Sequence, residues 1–407
     1  MAERLHCIPW HSNSKRGNAG QFGRRGDDGI LRRVGCGTRK NMEQTTMNVR
    51  VFTRFDALPA TYDPLFVAAA EASFFLTRDW FTVLAGNILG PADELRLYGV
   101  EDSAGRPLIL LPAYGPQRDG RHGSSRPLLA LANFYTMSFA PIALAVTPGR
   151  SEALRALARH IASERPRWTR LEIGAMDPTA EDFALFAAAL RESGFVTRTH
   201  SRGVNWYEPV DGRGYDDYLS ARPSVLRNTL RRRARKLARE HDYRIDVVTG
   251  EEGLDAALAD YQRIYAASWK DREQYPNFIP DLIRLCAATG TLLLGILSVD
   301  GTPTAGQFWI VHSRGTTIYK LAYDPAFERY SVGTILTAHL MEYTIETRNT
   351  PEVDFGLGDD AYKQQWMSDR REKWAITGYN PRTVAGGRAV LRDLGGHIYQ
   401  SLIGRRA

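Results

Sequence analysis

Residues 319–341 read YKLAYDPAFERYSVGTILTAHLM, and this stretch decides the fold. An apolar strand ends at Leu321-Ala322-Tyr323 and is broken by Asp324-Pro325. Arg329-Tyr330-Ser331-Val332-Gly333-Thr334 then leads into a helix whose apolar face is Ile335, Leu336, Leu340 and Met341. A strand, a loop with a glycine and a helix N-terminus together make an anion site. The first backbone N–H groups have no intrahelical partner, and the helix dipole favours negative charge there. Gly333 permits close backbone approach, and Ser331 is the expected N-cap. A capped helix without a ligand would carry the same local pattern.

Downstream, residues 354–363 read DFGLGDDAYK. A strand ends in a glycine-flexible loop that carries Asp359, Asp360, the phenol of Tyr362 and the amine of Lys363. Strand ends are where α/β sites assemble. A carboxylate there can take a proton from an amine, and a tyrosine can give one to a leaving group. A solvated turn with a surface ion pair fits the same residues. Asp354, between Val353 and Phe355, is expected to face a polar edge or to pair with a base. Upstream, Arg227, Arg231, Arg232, Arg233, Arg235, Lys236 and Arg239 stand without an acid among them. Leu226, Leu230, Ala234 and Leu237 recur at helical spacing. One face of that helix is apolar and the rest cationic. It suits a solvated surface or the phosphates of a nucleic acid, a cofactor or a lipid. Like charges four residues apart cost a few tenths of a kcal/mol each, which mildly favours an anionic partner.

Working outward, helix-like and strand-like pieces alternate from about residue 49. Helices are expected over 63–72, 78–89, 150–164, 180–192, 223–240, 251–269, 278–288 and 332–347. Strands are expected over 94–100, 108–113, 171–173, 195–200, 203–209, 292–299, 305–312, 316–323, 353–355 and 373–379. Two local echoes suggest a duplication. Leu97-Tyr98-Gly99-Val100 before a Gly-Arg-Pro turn resembles Leu294-Gly295-Ile296 before a Gly-Thr-Pro turn. Leu171-Glu172-Ile173-Gly174 resembles Val353-Asp354-Phe355-Gly356. Chance similarity between short strands would give the same echoes.

The chain has 407 residues, too many for one ordinary core, so two domains are expected. Its formal net charge is +7, but residues 1–47 hold nine Lys/Arg against four acids, so most of the basicity lies in that segment. Its glycines recur at 17, 20, 23, 26 and 29 without proline, which suits a flexible tail and not a collagen helix. Met47, just before the first credible strand, is a possible natural start. Apolar runs such as Leu292–Leu297 are far shorter than a membrane helix needs, and no apolar leader opens the chain. Cys7, Cys36 and Cys286 are scattered, which argues against a disulfide framework or a zinc site, and the cytoplasm is the expected compartment. A phosphate loop of the GxxxxGK[ST] type, a GxSxG elbow, an HExxH helix and a GxGxxG after a strand are all missing from the sequence.

Tyr323-Asp324-Pro325, Ser331-Val332-Gly333-Thr334 and Asp354-Phe355-Gly356-Leu357-Gly358-Asp359 with Tyr362-Lys363 together resemble the acetyltransferase domain of the CelD-like branch of the GNAT superfamily, which is related to the Fem peptidoglycan ligases. The resemblance is closest over 210–380. It implies an α/β protein of two tandem GNAT-like domains, each a twisted mixed sheet flanked by helices. These would span 48–210 and 211–385, after the tail at 1–47 and before a C-terminal helix at 386–407. It also implies acyl-CoA, in particular acetyl-CoA, held at Arg329, Ser331, Val332, Gly333 and Thr334, with no metal. The acceptor would be a primary amine of a sugar, an amino acid or an envelope or exopolysaccharide precursor. Asp359 would take its proton, Tyr362 or Tyr323 would protonate the thiolate, and Lys363 would orient an acidic acceptor. One departure stands out: Arg329 is followed by one glycine, Gly333, where GNAT phosphate loops usually carry a second small residue. The alternatives are a Fem-type transferase using aminoacyl-tRNA, and a binding module for an acidic envelope polymer.

Overall fold

The apolar run Leu292–Val299 is buried at every position, and Asp300-Gly301 reverses the chain with positive φ at both residues (49° and 76°). That is the geometry a two-residue hairpin demands, and Asp-Gly adopts it at low cost. The computed structural model describes residues 47–117 and 125–403. The tail assigned from sequence to 1–47 lies, up to residue 46, outside the described residues.

The strands are β1 (Asn48–Phe52), β2 (Asp93–Glu101), β3 (Pro107–Pro116), β4 (Pro127–Ala130), β5 (Ile142–Ala143), β6 (Arg170–Met176), β7 (Val196–Pro209), β8 (Tyr243–Val248), β9 (Leu292–Val299), β10 (Thr302–His312), β11 (Gly315–Tyr323), β12 (Glu352–Leu357) and β13 (Asp369–Tyr379). The helices are α1 (Asp63–Ala72), α2 (Arg78–Ile88), α3 (Arg150–Ser163), α4 (Glu181–Glu192), α5 (Tyr215–Ser220), α6 (Ser224–Glu240), α7 (Leu254–Ala267), α8 (Phe278–Ala288), α9 (Val332–Arg348), α10 (Lys363–Trp366) and α11 (Val384–Ile403). All the strands join one sheet in the order β1-β2-β3-β4-β6-β13-β7-β12-β11-β10-β9-β8, with β5 alongside β3. Two pairings are parallel, β4 with β6 and β11 with β12; the rest are antiparallel.

The centre of the sheet is an exchange. The C-terminal strand β13 lies between β6 and β7, while β7 passes on to pair with β12. Residues 195–200 and 203–209, expected as two strands, are one strand of 14 residues. Gly203, with φ of 137°, absorbs a register shift against β13 instead of turning the chain. A buried ion pair fixes the far end. Glu208 is fully buried and accepts from both terminal nitrogens of Arg222, at 2.9 and 3.0 Å, and from the Ser368 N–H at 2.8 Å. Breaking such a pair leaves an uncompensated buried charge, at a cost of about 3–5 kcal/mol.

Two apolar clusters flank the sheet. One joins α1–α4 with α7 and α8, and includes Trp80 edge-on to Phe278 at 5.7 Å and Tyr135 stacked on Phe278 at 4.3 Å. The other packs α6 and α9 on the C-terminal strands through Leu226, Leu237, Leu336 and Leu340. Cys286 is buried and unpaired. Among the described residues no helix is long and apolar enough to cross a membrane.

Candidate active site

β11 and β12 run parallel for only two residue pairs, Thr316 with Val353 and Thr317 with Asp354, and then part. Bulges on both walls cause the parting. On β11, Phe308 faces Lys320 while Trp309 faces Ile318, so Tyr319 is the extra residue; its ring is buried and its hydroxyl donates to Tyr135 O at 2.9 Å. On β12 the register against β7 slips between Asp354 and Leu357, at Gly356, whose φ of 67° favours glycine. Asp354 holds this bend by accepting from the Gly356 N–H at 2.6 Å, from Asn205 at 2.6 Å and from Arg371 at 2.7 Å. The expectation that Asp354 pairs with a base therefore describes its partner, Arg371.

The parted strands leave a cleft of about 240 Å³, lined by Ile318 to Leu321, Phe355 to Leu357, Asp360, Tyr362, Lys363 and Lys270, with Phe134, Tyr135 and Met137 arriving from the N-terminal half of the chain. One wall is polar and fully tied. Glu273 accepts from Lys320 at 2.7 Å, from Tyr265 at 2.8 Å and from Tyr135 at 2.5 Å. Burial would raise the Glu273 carboxyl, but these donors outweigh it and hold it below the usual range. The other wall carries Lys363, whose ammonium donates to Leu357 O at 2.7 Å and stands 3.5 Å from Asp360. Lys270 differs: its ammonium makes no hydrogen bond or ion pair with the described residues and lies 5.9 Å over the Trp269 ring. Burial, with Lys320 close by, pushes its ammonium down to about 8. Beside it Trp269 packs on Tyr323, ring centroids 4.5 Å apart.

Tyr323, two residues beyond the cleft-lining Leu321, connects β11 to α9. Its ring sits 3.1 Å from where a side chain on Gly333 would begin, so glycine is what lets strand end and helix end meet. Between them runs a 3₁₀ segment, Pro325–Tyr330, capped by the Asp324 carboxylate. No side chain caps α9, and its first turn holds no acid. Ile335 N–H bonds back to Ser331 O at 3.0 Å, so the amides of Val332, Gly333 and Thr334 precede the helical ladder. Cations stand at the turn just before them, where the Tyr330 hydroxyl also donates to Glu240 at 3.1 Å. The α6 side chains Arg233, bonded to Arg329 O, and Lys236, 5.1 Å over the Tyr330 ring, face this end, and the Arg329 guanidinium lies 4.7 Å over the same ring.

The residues singled out from sequence fall in three places. Ser331 occupies the N-cap position but does not cap with its side chain: its backbone is left-handed (φ 56°) because the chain turns there from the 3₁₀ segment into α9. Gly333 and Thr334 are half-buried and reachable, whereas the Val332 side chain is buried beneath the helix and offers only its amide. Tyr362 is 43 % exposed and packs edge-on to Phe355, and burial of its ring raises the phenol to about 12. Asp359 is exposed and accepts from the Trp206 indole at 2.8 Å; its neighbour Asp360 lines the cleft. Lys363 is buried and tied to its own loop. Lys270, Lys320, Glu273 and Tyr135 were missed. Their signal lies in tertiary proximity, since none belongs to a local motif.

Residues 224–364 match the family model for the acetyltransferase (GNAT) domain, so the chain contains a GNAT-type acetyltransferase domain. No curated protein sequence matches the chain. Among solved structures it is similar to FemX, with 12% identity over 75% of this chain and 94% of that one and a TM-score of 0.52. It is also similar to the C-terminal domain of a putative lysylphosphatidylglycerol synthetase from Agrobacterium fabrum, with 13% identity over 81% and 95% and a TM-score of 0.49. A tandem GNAT protein from the clavulanic acid biosynthesis pathway aligns with 15% identity over 81% and 98% and a TM-score of 0.44. At these identities the FemX likeness is one of fold. Among the described residues no group of His, Cys, Asp and Glu is arranged to hold a metal ion.

Proposed function

We propose that the chain is an N-acyltransferase of CelD-like type that moves an acyl group, acetyl first among them, from acyl-CoA to a primary amine of a sugar, amino acid or envelope precursor. The observation that carries this reading is the continuity of three features: the uncapped start of α9, the Tyr323–Gly333 contact and the cleft between β11 and β12. The diphosphate of the donor would lie on the amides of Val332, Gly333 and Thr334, with Arg329 and the α6 cations nearby. Exposed anion–dipole contacts of this kind are worth about 0.3–1 kcal/mol each, rising to ~2 when partly buried. The pantetheine arm, which carries amides, would run along the edge of β11 that β12 leaves unpaired beyond Thr317.

In the cleft the acceptor nitrogen attacks the thioester carbon, the C–N bond forms and the C–S bond breaks. The attacking amine must lose a proton. Asp359, assigned to that step from sequence, points to Trp206, whereas the titratable groups that line the cleft include Asp360 and Lys270. The Lys270 ammonium has no hydrogen-bond or ion-pair partner among the described residues, and burial brings it down to about 8, so it suits the task. Tyr362 or Tyr323 would protonate the departing thiolate, and Lys363 keeps the 357–360 loop in place. Calorimetric titration of acetyl-CoA into the full chain tests the reading: one site per chain is expected, and no heat at any ratio would refute it. The domain division at 210/211 remains part of this proposal, with the C-terminal part as the working one.

A second reading, a Fem-type transferase using aminoacyl-tRNA, is favoured by one observation. Arg227, Arg231, Arg232 and Arg235 are exposed on α6 and make no ion pair among the described residues. It predicts tRNA binding that weakens steeply with salt, because each phosphate contact releases counterions.

A further inference from the structure

A second cavity, of about 610 Å³, adjoins the cleft at Met137. Met137 lines both, and its sulfur accepts from the Leu357 N–H at 3.5 Å. The size suits a small molecule. Its wall includes Ser138, Asp177, Asp211, Arg371 and Lys373. Arg371 is fully engaged by Asn205, Glu352 and Asp354. Lys373 has the opposite character. It is 7% exposed, and its ammonium makes a single long hydrogen bond, 3.4 Å to Ser138 Oγ, among the described residues. Burial and the neighbouring Arg371 charge lower its pKa more than the nearby charges of Asp354, Asp177 and Glu352 raise it. A buried cation with one long hydrogen bond costs folding free energy unless something else satisfies its remaining donors.

The rest of the wall says what that something is. Carboxylates outnumber cations around the cavity, so a dianion such as phosphate is disfavoured as a whole. Asp177 is hydrogen-bonded within its own turn, to the Thr179 N–H and hydroxyl, and feels Lys373 and Arg371 only as nearby charges, while Asp211 makes no ion pair among the described residues. The site therefore asks for one carboxylate at Lys373 and a positive group across from it.

We propose that this cavity binds a small zwitterion of the amino-acid class, its carboxylate on Lys373 and its ammonium toward Asp177. The assignment rests on no part of the transferase reading and stands or falls separately.

Thermal melts of the full chain in glycine, L-lysine or inorganic phosphate, against chloride at matched ionic strength, test it. A ligand that binds only the folded chain raises its melting temperature, here by about 2 °C at saturating glycine or L-lysine. Lys373→Met should fold, since an apolar stem replaces an under-satisfied buried charge, and should show no such rise. Should that variant not fold, Asp177→Asn read by calorimetry replaces it, with amino-acid affinity expected to fall about tenfold. No rise from either amino acid, an equal rise in wild type and Lys373→Met, unchanged affinity in Asp177→Asn, or a rise from phosphate alone would each overturn the proposal.

Discussion

The sheet has two parallel seams, and they are built alike but equipped differently. At the N-terminal seam β4 pairs with β6 over Pro127–Leu129, and at the C-terminal seam β11 pairs with β12 over two residues. Each second strand carries a residue of positive φ at a bulge, Ala175 in β6 and Gly356 in β12. Each seam opens a cavity, about 790 Å³ at the first and 240 Å³ at the second. The difference lies in the helix that follows. β11 leads through one 3₁₀ segment straight into α9, whose first turn is free of acid. β4 is followed by a long connection containing β5 before α3, whose first turn holds Glu152 and whose Arg150 is taken by Asp182, 3.3 Å away. An acid at a helix start answers the dipole from within and repels an incoming anion. On the proposed reading, a repeated architecture need not repeat its site: the donor goes to the helix start whose dipole is left unanswered.

The sharpest break in the comparison is Lys270→Met, because the N-terminal seam has no counterpart amine. The transferase reading predicts a kcat lower by about 10²-fold with little change in donor KM. Since the neutral amine is the active form, wild-type kcat/KM should rise with pH through about 8, and that limb should vanish in the variant. A limb that survives unchanged would move the base elsewhere. Next in size, Thr334→Glu gives α9 the acid that α3 already has. Acetyl-CoA should bind about tenfold more weakly by calorimetry, while stability rises by about 0.3–1 kcal/mol. Glu152→Gln, the converse change, should leave one donor site per chain.

Glu273→Gln should cost about 2 kcal/mol in denaturant unfolding at neutral pH, because Lys320 loses its charged partner in a half-buried setting. The sign with pH follows from the lowered folded-state carboxyl. The wild-type contribution is full above the unfolded carboxyl range and fades as pH falls through the folded value, so the two proteins converge in acid. Smallest is the backbone pair. Gly356→Ala should lose about 1 kcal/mol and Ala175→Gly should gain about 0.5 kcal/mol, because both positions hold positive φ and only the first has glycine.

Much of this architecture is legible in the sequence, and the failures have physical causes. The α9 segment and the strand at 353–355 announce themselves by local period and punctuation. β8 was missed because it is an edge strand: from Tyr243 to Val248 no residue is fully buried, and Arg244 and Asp246 alternate with the apolar positions. β4 was missed because it is four residues long and begins with Pro127. The β7–β13 exchange joins segments more than 150 residues apart, which no local pattern encodes. At the candidate site, the DFGLGD loop is legible as a strand end with a glycine-flexible turn, but which of Asp359 and Asp360 faces the cleft is decided by the fold: Asp359 accepts from Trp206 and Asp360 lines the cleft. The tail at 1–46 lies outside the described residues.

The most direct measurement is amide hydrogen exchange of the full chain with and without acetyl-CoA, followed at the two helix starts. Slowed exchange at Val332, Gly333 and Thr334, with none at the first turn of α3, is the outcome this account predicts. Protection at α3 instead, or at neither helix while acetyl-CoA is bound, would contradict it.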